Sequence, residues 1–290
     1  MTQLRMTHKR MSHEAREKWG DALTYLMAIL IAAFFLTPLA WLLSLSLRTR
    51  QEVFLGASRF IPKRPTLDNF AQILSDPTFL LYLWNGLKLS ALGGLGCLLV
   101  AAPAAYAFSR FWFSGKSALM MTILAFQMIS PLVILVPLYR YMSRLGLINS
   151  HFGVTMVYIA IGVPMCTWLV KSAIDNIPKS LEEAAAIDGC SRFGTFWRIT
   201  LPLAAPGLAS AFILIVILNW SQFLIPFLLL NKDAQLPISV AIFNFAGTSN
   251  ASSTQVLAAA CLVAVVPAII AFLLLQRMIV GALTAGAVKG

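Results

Sequence analysis

The chain has 290 residues, of which 59% are hydrophobic and 11% charged, and its net charge is +11. A soluble domain carries about 25% charged residues, so this composition excludes a water-soluble globular protein and indicates an integral membrane protein. The basic residues are spread over polar connections rather than gathered on one face, so they act on topology and lipid headgroups, and nucleic acid is not an expected partner.

Apolar runs long enough to span a bilayer recur without the alternation of a lipid-facing strand, which predicts an all-α bundle of six transmembrane helices. Residues 1–21 are polar and form either a short surface helix or a disordered segment. The first span is 22–47, too long for a signal-peptide core, with Pro38 as a tolerated kink. Residues 48–80 form a polar connection in which Phe60–Phe70 reads as an extended segment, a turn and a short helix. The second span is 81–108, with Lys88 near its start and able to snorkel outward. Gly115-Lys116-Ser117 looks like the end of a phosphate-binding loop, but Arg110 stands where the earlier glycine belongs and no strand precedes it. The third span is 117–139 and the fourth 152–170. A polar stretch, 171–205, precedes the fifth span at 206–230. Residues 231–254 connect it to the sixth span, 255–276, and a small-residue tail fills 277–290.

Six spans put both termini on one side. With the N-terminus inside, the inner segments hold 13 Lys and Arg against 8 in the outer ones. This bias predicts cytoplasmic termini and a cytoplasmic 171–205 stretch.

That stretch holds most of the chemistry. Ser180 and Glu183 have the spacing of a capping box, so a helix is expected to start at Ser180. Ala184, Ala185 and Ala186 favour helix, Gly189 ends it, and a second short helix is expected from Ser191 to Ile199. Pro202 and Pro206 mark the entry to the fifth span. Phe193, Phe196 and Trp197 share one face of the second helix, which packs either on the bundle or on a partner.

No catalytic signature occurs, and the spans contain no carboxylate pair. Cys97, Cys166 and Cys261 lie in apolar runs and Cys190 in the polar stretch, without a C-x-x-C pair, and His8, His13 and His151 are isolated, so no metal site or disulfide framework is indicated. Asn219, Trp220 and Gln222 in the fifth span, and Gln127 in the third, offer amides and an indole suited to a neutral polar solute. The alternative is that these amides form hydrogen bonds between helices.

Glu183-Ala184-Ala185, Gly189, Ile199 and Leu201-Pro202 together resemble the EAA loop of ABC-importer permeases. Pro137-Leu138-Tyr139, Leu145–Gly153 and the tail Gly281–Gly290 are similar to the maltose-type, carbohydrate-uptake branch. The resemblance implies a type I permease fold in the bacterial inner membrane, with Glu183, Ala184, Ala185, Asp188, Gly189 and Pro202 forming a coupling elbow. It implies as partners a second homologous permease, two ATPase subunits and an extracytoplasmic solute-binding protein. This chain would hold no cofactor, ATP and Mg being bound by the ATPase subunits. The tail would reach into the ATPase dimer, and 231–254, with Asn244, Phe245, Gly247 and Thr248, would meet the solute-binding protein. Transport would proceed by alternating access, with a sugar or oligosaccharide as solute. The same machinery could carry glycerol 3-phosphate, a glycerol phosphodiester or a polyol, but a phosphate calls for basic residues in the path and the spans contain only Lys88. A non-transporting scaffold or receptor explains the bundle but not the complete signature.

Overall fold

The structure is a computed structural model. It describes the backbone of residues 2–54, 60–247 and 254–287, and the side chains of 21–54, 60–130, 132–243 and 254–276. Thr248, assigned above to the external loop, lies outside the described residues, as do the side chains of Asn244 and Phe245 and of the tail. The chain divides into two compact units, Met1–Gln72 with Ser252–Leu262, and Ile73–Ala251 with Val263–Gly290.

In the first unit the polar start and the first span are one helix, α1 (Thr2–Ser46). Pro38 interrupts its ladder without breaking it, and Thr37 Oγ1 bonds back to the Ala33 carbonyl at 2.6 Å. Leu26, Ile29 and Phe34 are exposed in the isolated chain, as expected of a helix that faces lipid or another subunit. The end of α1 is capped from the connection after it. Buried Asn69 donates to the carbonyls of Ser46 and Arg48 at 2.7 and 2.8 Å, and Thr66 N–H donates to that of Leu47 at 2.9 Å. These bonds satisfy helix-end carbonyls that would otherwise lack partners. The connection contains α2 (Arg50–Phe54) and leads into α3 (Asp68–Leu74), the predicted short helix.

The second unit is built on α4 (Pro77–Arg110), α7 (His151–Asp175) and α10 (Leu201–Trp220). Asp76 caps α4 by accepting from Thr78 N–H, with Pro77 at the first helical position. Buried Cys97, Ala101, Ala105, Val170, Ala204 and Ile215 form the shared core. Small residues allow the close approach: a Cβ at Gly162 would meet Cys97 Sγ, and one at Gly207 would meet the Ala173 methyl.

Among the described residues five helical stretches are long and apolar enough to cross a membrane: Asp21–Ser46, Pro77–Arg110, His151–Asp175, Arg192–Trp220 and Thr254–Gln276. The predicted third span, 117–139, is instead two helices, α5 (Lys116–Phe126) and α6 (Pro131–Arg144), each short of the roughly 20 residues a span needs. The break follows from Pro131. Proline drives the residue before it out of the helical region, and Ser130 has φ −59° and ψ 129°. Gln127, Met128 and Ile129 fall back on tight i−3 bonds.

Two further boundaries differ from the sequence reading. The helix of the predicted fourth span runs on to Asp175, so the polar stretch is shorter than 171–205. The fifth begins at Arg192 rather than Pro206 and ends at Trp220. It is followed by α11 (Leu224–Leu229) and α12 (Ile238–Gly247). α13 (Thr254–Ala287) carries the sixth span and continues as helix through most of the tail.

Candidate functional site

The stretch Ser180–Pro206 folds as helix, turn, helix. Its first helix, α8 (Lys179–Ile187), has Pro178 at the N-cap and no side-chain capping bond, so the predicted capping box between Ser180 and Glu183 does not form. Proline has its φ already fixed near the helical value, here −57°, and its carbonyl accepts from Leu181 N–H at 3.3 Å. Ser180 is thereby already inside the first turn.

The neighbouring acid takes the structural role. Glu182 lies three residues before buried Ala185, on the same helical face. Its Oε1 accepts from Arg110 Nε at 2.8 Å and from Thr200 Oγ1 at 2.9 Å, and Tyr106 Oη donates to its Oε2 at 3.4 Å. The Arg110 and Glu182 side chains are only 7% and 12% exposed. Arg110 Nη2 also donates to the carbonyls of Ile174 and Ile177 at 3.1 and 2.9 Å, where α7 ends and its last carbonyls need partners. Beside this node Asp175 Oδ1 accepts from Ser109 Oγ at 2.5 Å, and Asp175 also pairs with Lys171. One carboxylate and one guanidinium thus join the ends of α4 and α7, the inner face of α8 and the segment leading into α10.

The signature residues lie elsewhere on α8 and beyond it. Glu183, Ala184, Asp188 and Gly189 are exposed, while Ala185 is buried. Gly189 has φ +83°, a left-handed conformation that favours glycine. Cys190 N–H bonds the Ala185 carbonyl at 2.9 Å and Gly189 N–H bonds that of Ala186 at 3.1 Å, which is a Schellman stop. Ser191 then caps α9 (Arg192–Thr195) by accepting from Gly194 N–H.

The predicted short helix Ser191–Ile199 is not separate. It runs through a π-helical turn, Phe196–Thr200, straight into α10. Leu201 N–H reaches back five residues to the Phe196 carbonyl. Pro202 explains the wider turn, because in an α-helical ladder its ring would strike the Arg198 carbonyl and offer it no donor. Pro202 itself is exposed, in the first turn of α10. Of the aromatic face, Phe196 packs on Tyr106 with ring centroids 5.0 Å apart, and Phe193 and Trp197 stay exposed.

The candidate solute residues fall at two helix breaks. At the far end of α10 the chain leaves the helix at Ser221 and re-enters it at Leu224. Pro226 has no N–H for the Gln222 carbonyl, which instead accepts from Ser239 Oγ at 2.9 Å. The Trp220 indole N–H donates to the Ala264 carbonyl at 3.1 Å, and its ring is buried against Gly86. Asn219 Nδ2 approaches the Ser90 carbonyl at 3.5 Å. Trp220 and Asn219 therefore make interhelical bonds in this conformation. Gln127 sits at the other break, closing α5, and lines an apolar cavity of about 680 Å³ with Tyr141, Met156, Ala160, Pro164 and Ile225. Of the lining residues, Ile225 comes from the α10–α11 region, whereas Asn219, Trp220 and Gln222 do not reach the cavity.

Residues 97–284 match the family described as binding-protein-dependent transport system inner membrane component. The chain belongs to this family. Its relatives include the sulfoquinovosyl glycerol transport system permease protein SmoH of Agrobacterium fabrum, 32% identical over 93% of this chain and 95% of that one. They also include two maltose-system permeases called MalG. That of Thermococcus litoralis, a trehalose/maltose permease, is 34% identical over 91% and 95% of the two chains. That of Escherichia coli K12, a maltose/maltodextrin permease, is 34% identical over 92% and 95%. Among solved structures, a bacterial ABC transporter involved in importing the acidic polysaccharide alginate aligns with a TM-score of 0.74 at 24% identity, over 89% of this permease and 95% of that chain. The inward-facing MetNI methionine ABC transporter aligns at 0.52 and 16% identity, over 70% and 99%. At these identities the structural likenesses establish the fold, that of an ABC-importer permease. The maltose-type resemblance read from the sequence thus holds at the level of family and fold.

Proposed function

We propose that this permease is one of two membrane subunits of an ATP-driven, binding-protein-dependent importer of a sugar or oligosaccharide. It lies in the bacterial inner membrane with its termini and elbow in the cytoplasm. A second permease completes the path, two ATPase subunits bind ATP and Mg, and an extracytoplasmic protein delivers the solute. This chain supplies half of the path and the lever, and has no ATPase site of its own.

The observation that carries the reading is the construction of α8. Glu183 and Ala184, with Asp188 and Gly189 at its end, are displayed outward from a helix whose inner face is fastened through Glu182. A short helix that is rigid beneath and exposed above is suited to sit in a cleft of a moving partner and pass the motion on. The named substrates of the relatives support a sugar as the solute. Gln127 and Gln222 stand at helix breaks, where amides and unpaired backbone groups can meet a hydroxylated solute, and Asn219 and Trp220 adjoin the second break.

The test is purification of the tagged permease from native membranes, followed by a ligand screen on the binding protein recovered with it. Co-purifying ATPase and a binding protein that takes a sugar are the expected result. Recovery without any ATPase would instead favour a membrane scaffold. In the reconstituted complex, Glu183→Lys is expected to leave the bundle folded and to abolish uptake while ATP hydrolysis continues. Wild-type uptake by that variant at normal protein level would remove the elbow from the mechanism.

A further inference from the structure

We propose that Arg110 is the positioning residue that ties the coupling elbow to the spans, so that displacement of α8 is delivered through the Arg110–Glu182 pair to the ends of α4 and α7. The proposal rests on the elbow docking an ATPase subunit.

Three observations carry it. First, Arg110 is the last residue of α4, so its guanidinium is anchored at the end of a 34-residue helix. Second, its donors fan out to separate elements: Nε to the Glu182 carboxylate, and Nη2 to the Ile174 and Ile177 carbonyls. Only a planar fork with several fixed donors can hold all three at once, and a lysine ammonium is a compact point charge. Third, the pair is sequestered while the ion pair beside it is not. Lys171 and Asp175 are 20% and 43% exposed against 7% and 12% for Arg110 and Glu182, so water screens the first pair and competes little with the second.

Glu182 has a further partner in Thr200, fully buried at the head of α10. One carboxylate thus links the elbow to α4 directly, to α7 through Arg110, and to α10 through a hydroxyl. Glu183, one residue on, faces outward and is free to meet the partner. The two adjacent acids divide the labour: Glu183 receives the motion and Glu182 transmits it.

The test uses the complete importer in proteoliposomes and reads solute taken up per ATP hydrolysed. Glu182→Gln keeps the shape of the side chain and one acceptor oxygen but removes the charge. Arg110→Lys keeps a charge for Glu182 but loses the fork to the α7 carbonyls. Each is expected to lower the ratio about tenfold, the population change produced by weakening one charge-assisted bond. The double variant is expected to be no worse than the poorer single one, because both act on one joint. Thr200→Val, nearly isosteric, touches only the branch to α10 and is expected to lower the ratio about twofold to threefold, within the range for one neutral hydrogen bond. It serves as the readout if the charge variants assemble poorly.

A merely structural role would reduce the amount of assembled complex and leave the ratio of the assembled fraction intact. That result, with Glu183→Lys still uncoupled, would overturn the joint while the elbow stands. An unchanged ratio in every variant, Glu183→Lys included, would overturn both.

Discussion

The two ends of α10 solve opposite problems. Where it begins, a largely enclosed carboxylate, a guanidinium, a phenol and a hydroxyl bind four elements into one node. At its far end, about 30 Å away along the helix, the polar groups are neutral: the side chains of Asn219 and Trp220 each reach one backbone carbonyl, and the Gln222 carbonyl accepts from the Ser239 hydroxyl. A charged, multiply bonded node resists deformation, because breaking it strands a buried charge. Neutral single bonds at a helix break can be exchanged at low cost. Rigidity is therefore concentrated at one end of α10 and exchangeable bonds at the other, which under the proposed function are the ends nearer the ATPase and nearer the solute.

Removing the guanidinium should break the stiff end most severely. Arg110→Ala leaves the largely enclosed Glu182 without its cation and the Ile174 and Ile177 carbonyls without this donor. The expected cost is about 3–5 kcal/mol of local stability, read as faster hydrogen exchange of the α8 amides while those at the centre of α4 stay protected. Uniform exchange across both helices would mean that the node is not a local lock. Gly189→Val is expected to have a smaller effect at the same end. Nothing lies within 4 Å of a Cβ there, so the cost comes from the backbone, about 1–2 kcal/mol for a β-branched residue at positive φ. Thermal unfolding should show that loss, and a fall no greater for Val than for Ala would contradict the backbone account.

Much of this architecture was legible in the sequence, and the misses share a cause. The first, second and fourth spans are set by long apolar runs, and their helices cover the predicted residues to within one residue at Ser46 and fully elsewhere. Prolines separate the hits from the misses. Pro38, Pro103 and Pro164 lie inside unbroken helices, whereas Pro131 and Pro226 mark breaks. One proline removes one donor in every case. Whether the helix then breaks depends on tertiary partners such as Ser239, which takes the freed Gln222 carbonyl and which sequence spacing does not reveal. A helix stands where the Ser180 stretch predicted one, but its cap differs, because Glu183 has the capping-box spacing while Pro178 starts the helix earlier. A signal for Glu182 was present: it shares a helical face with Ala185, the central alanine of the run, and Arg110 is the last residue before the preceding turn. Pairing them requires knowing that α4 and α8 end side by side.

The pliable end offers a smaller test. Ser239→Ala strands the Gln222 carbonyl and is expected to cost about 1 kcal/mol, seen as a modest drop in melting temperature of the detergent-solubilised protein.

Gln127→Leu, at the break between α5 and α6, separates the two roles most finely. Gln127 closes α5 through its backbone, and its exposed side chain lines an otherwise apolar cavity. Its side-chain amide forms no hydrogen bond among the described residues, so leucine there should change stability by no more than about 0.5 kcal/mol. If the amide meets a hydroxylated solute, uptake should show a KM raised about fivefold to tenfold, the range for one lost hydrogen bond, with ATP hydrolysed per solute unchanged. A variant at the elbow should do the reverse, altering the ratio and sparing KM. If Gln127→Leu altered the ratio while leaving KM alone, that break would belong with the stiff end of the molecule, and the division between a rigid entry for force and a pliable passage for solute would fail at that position.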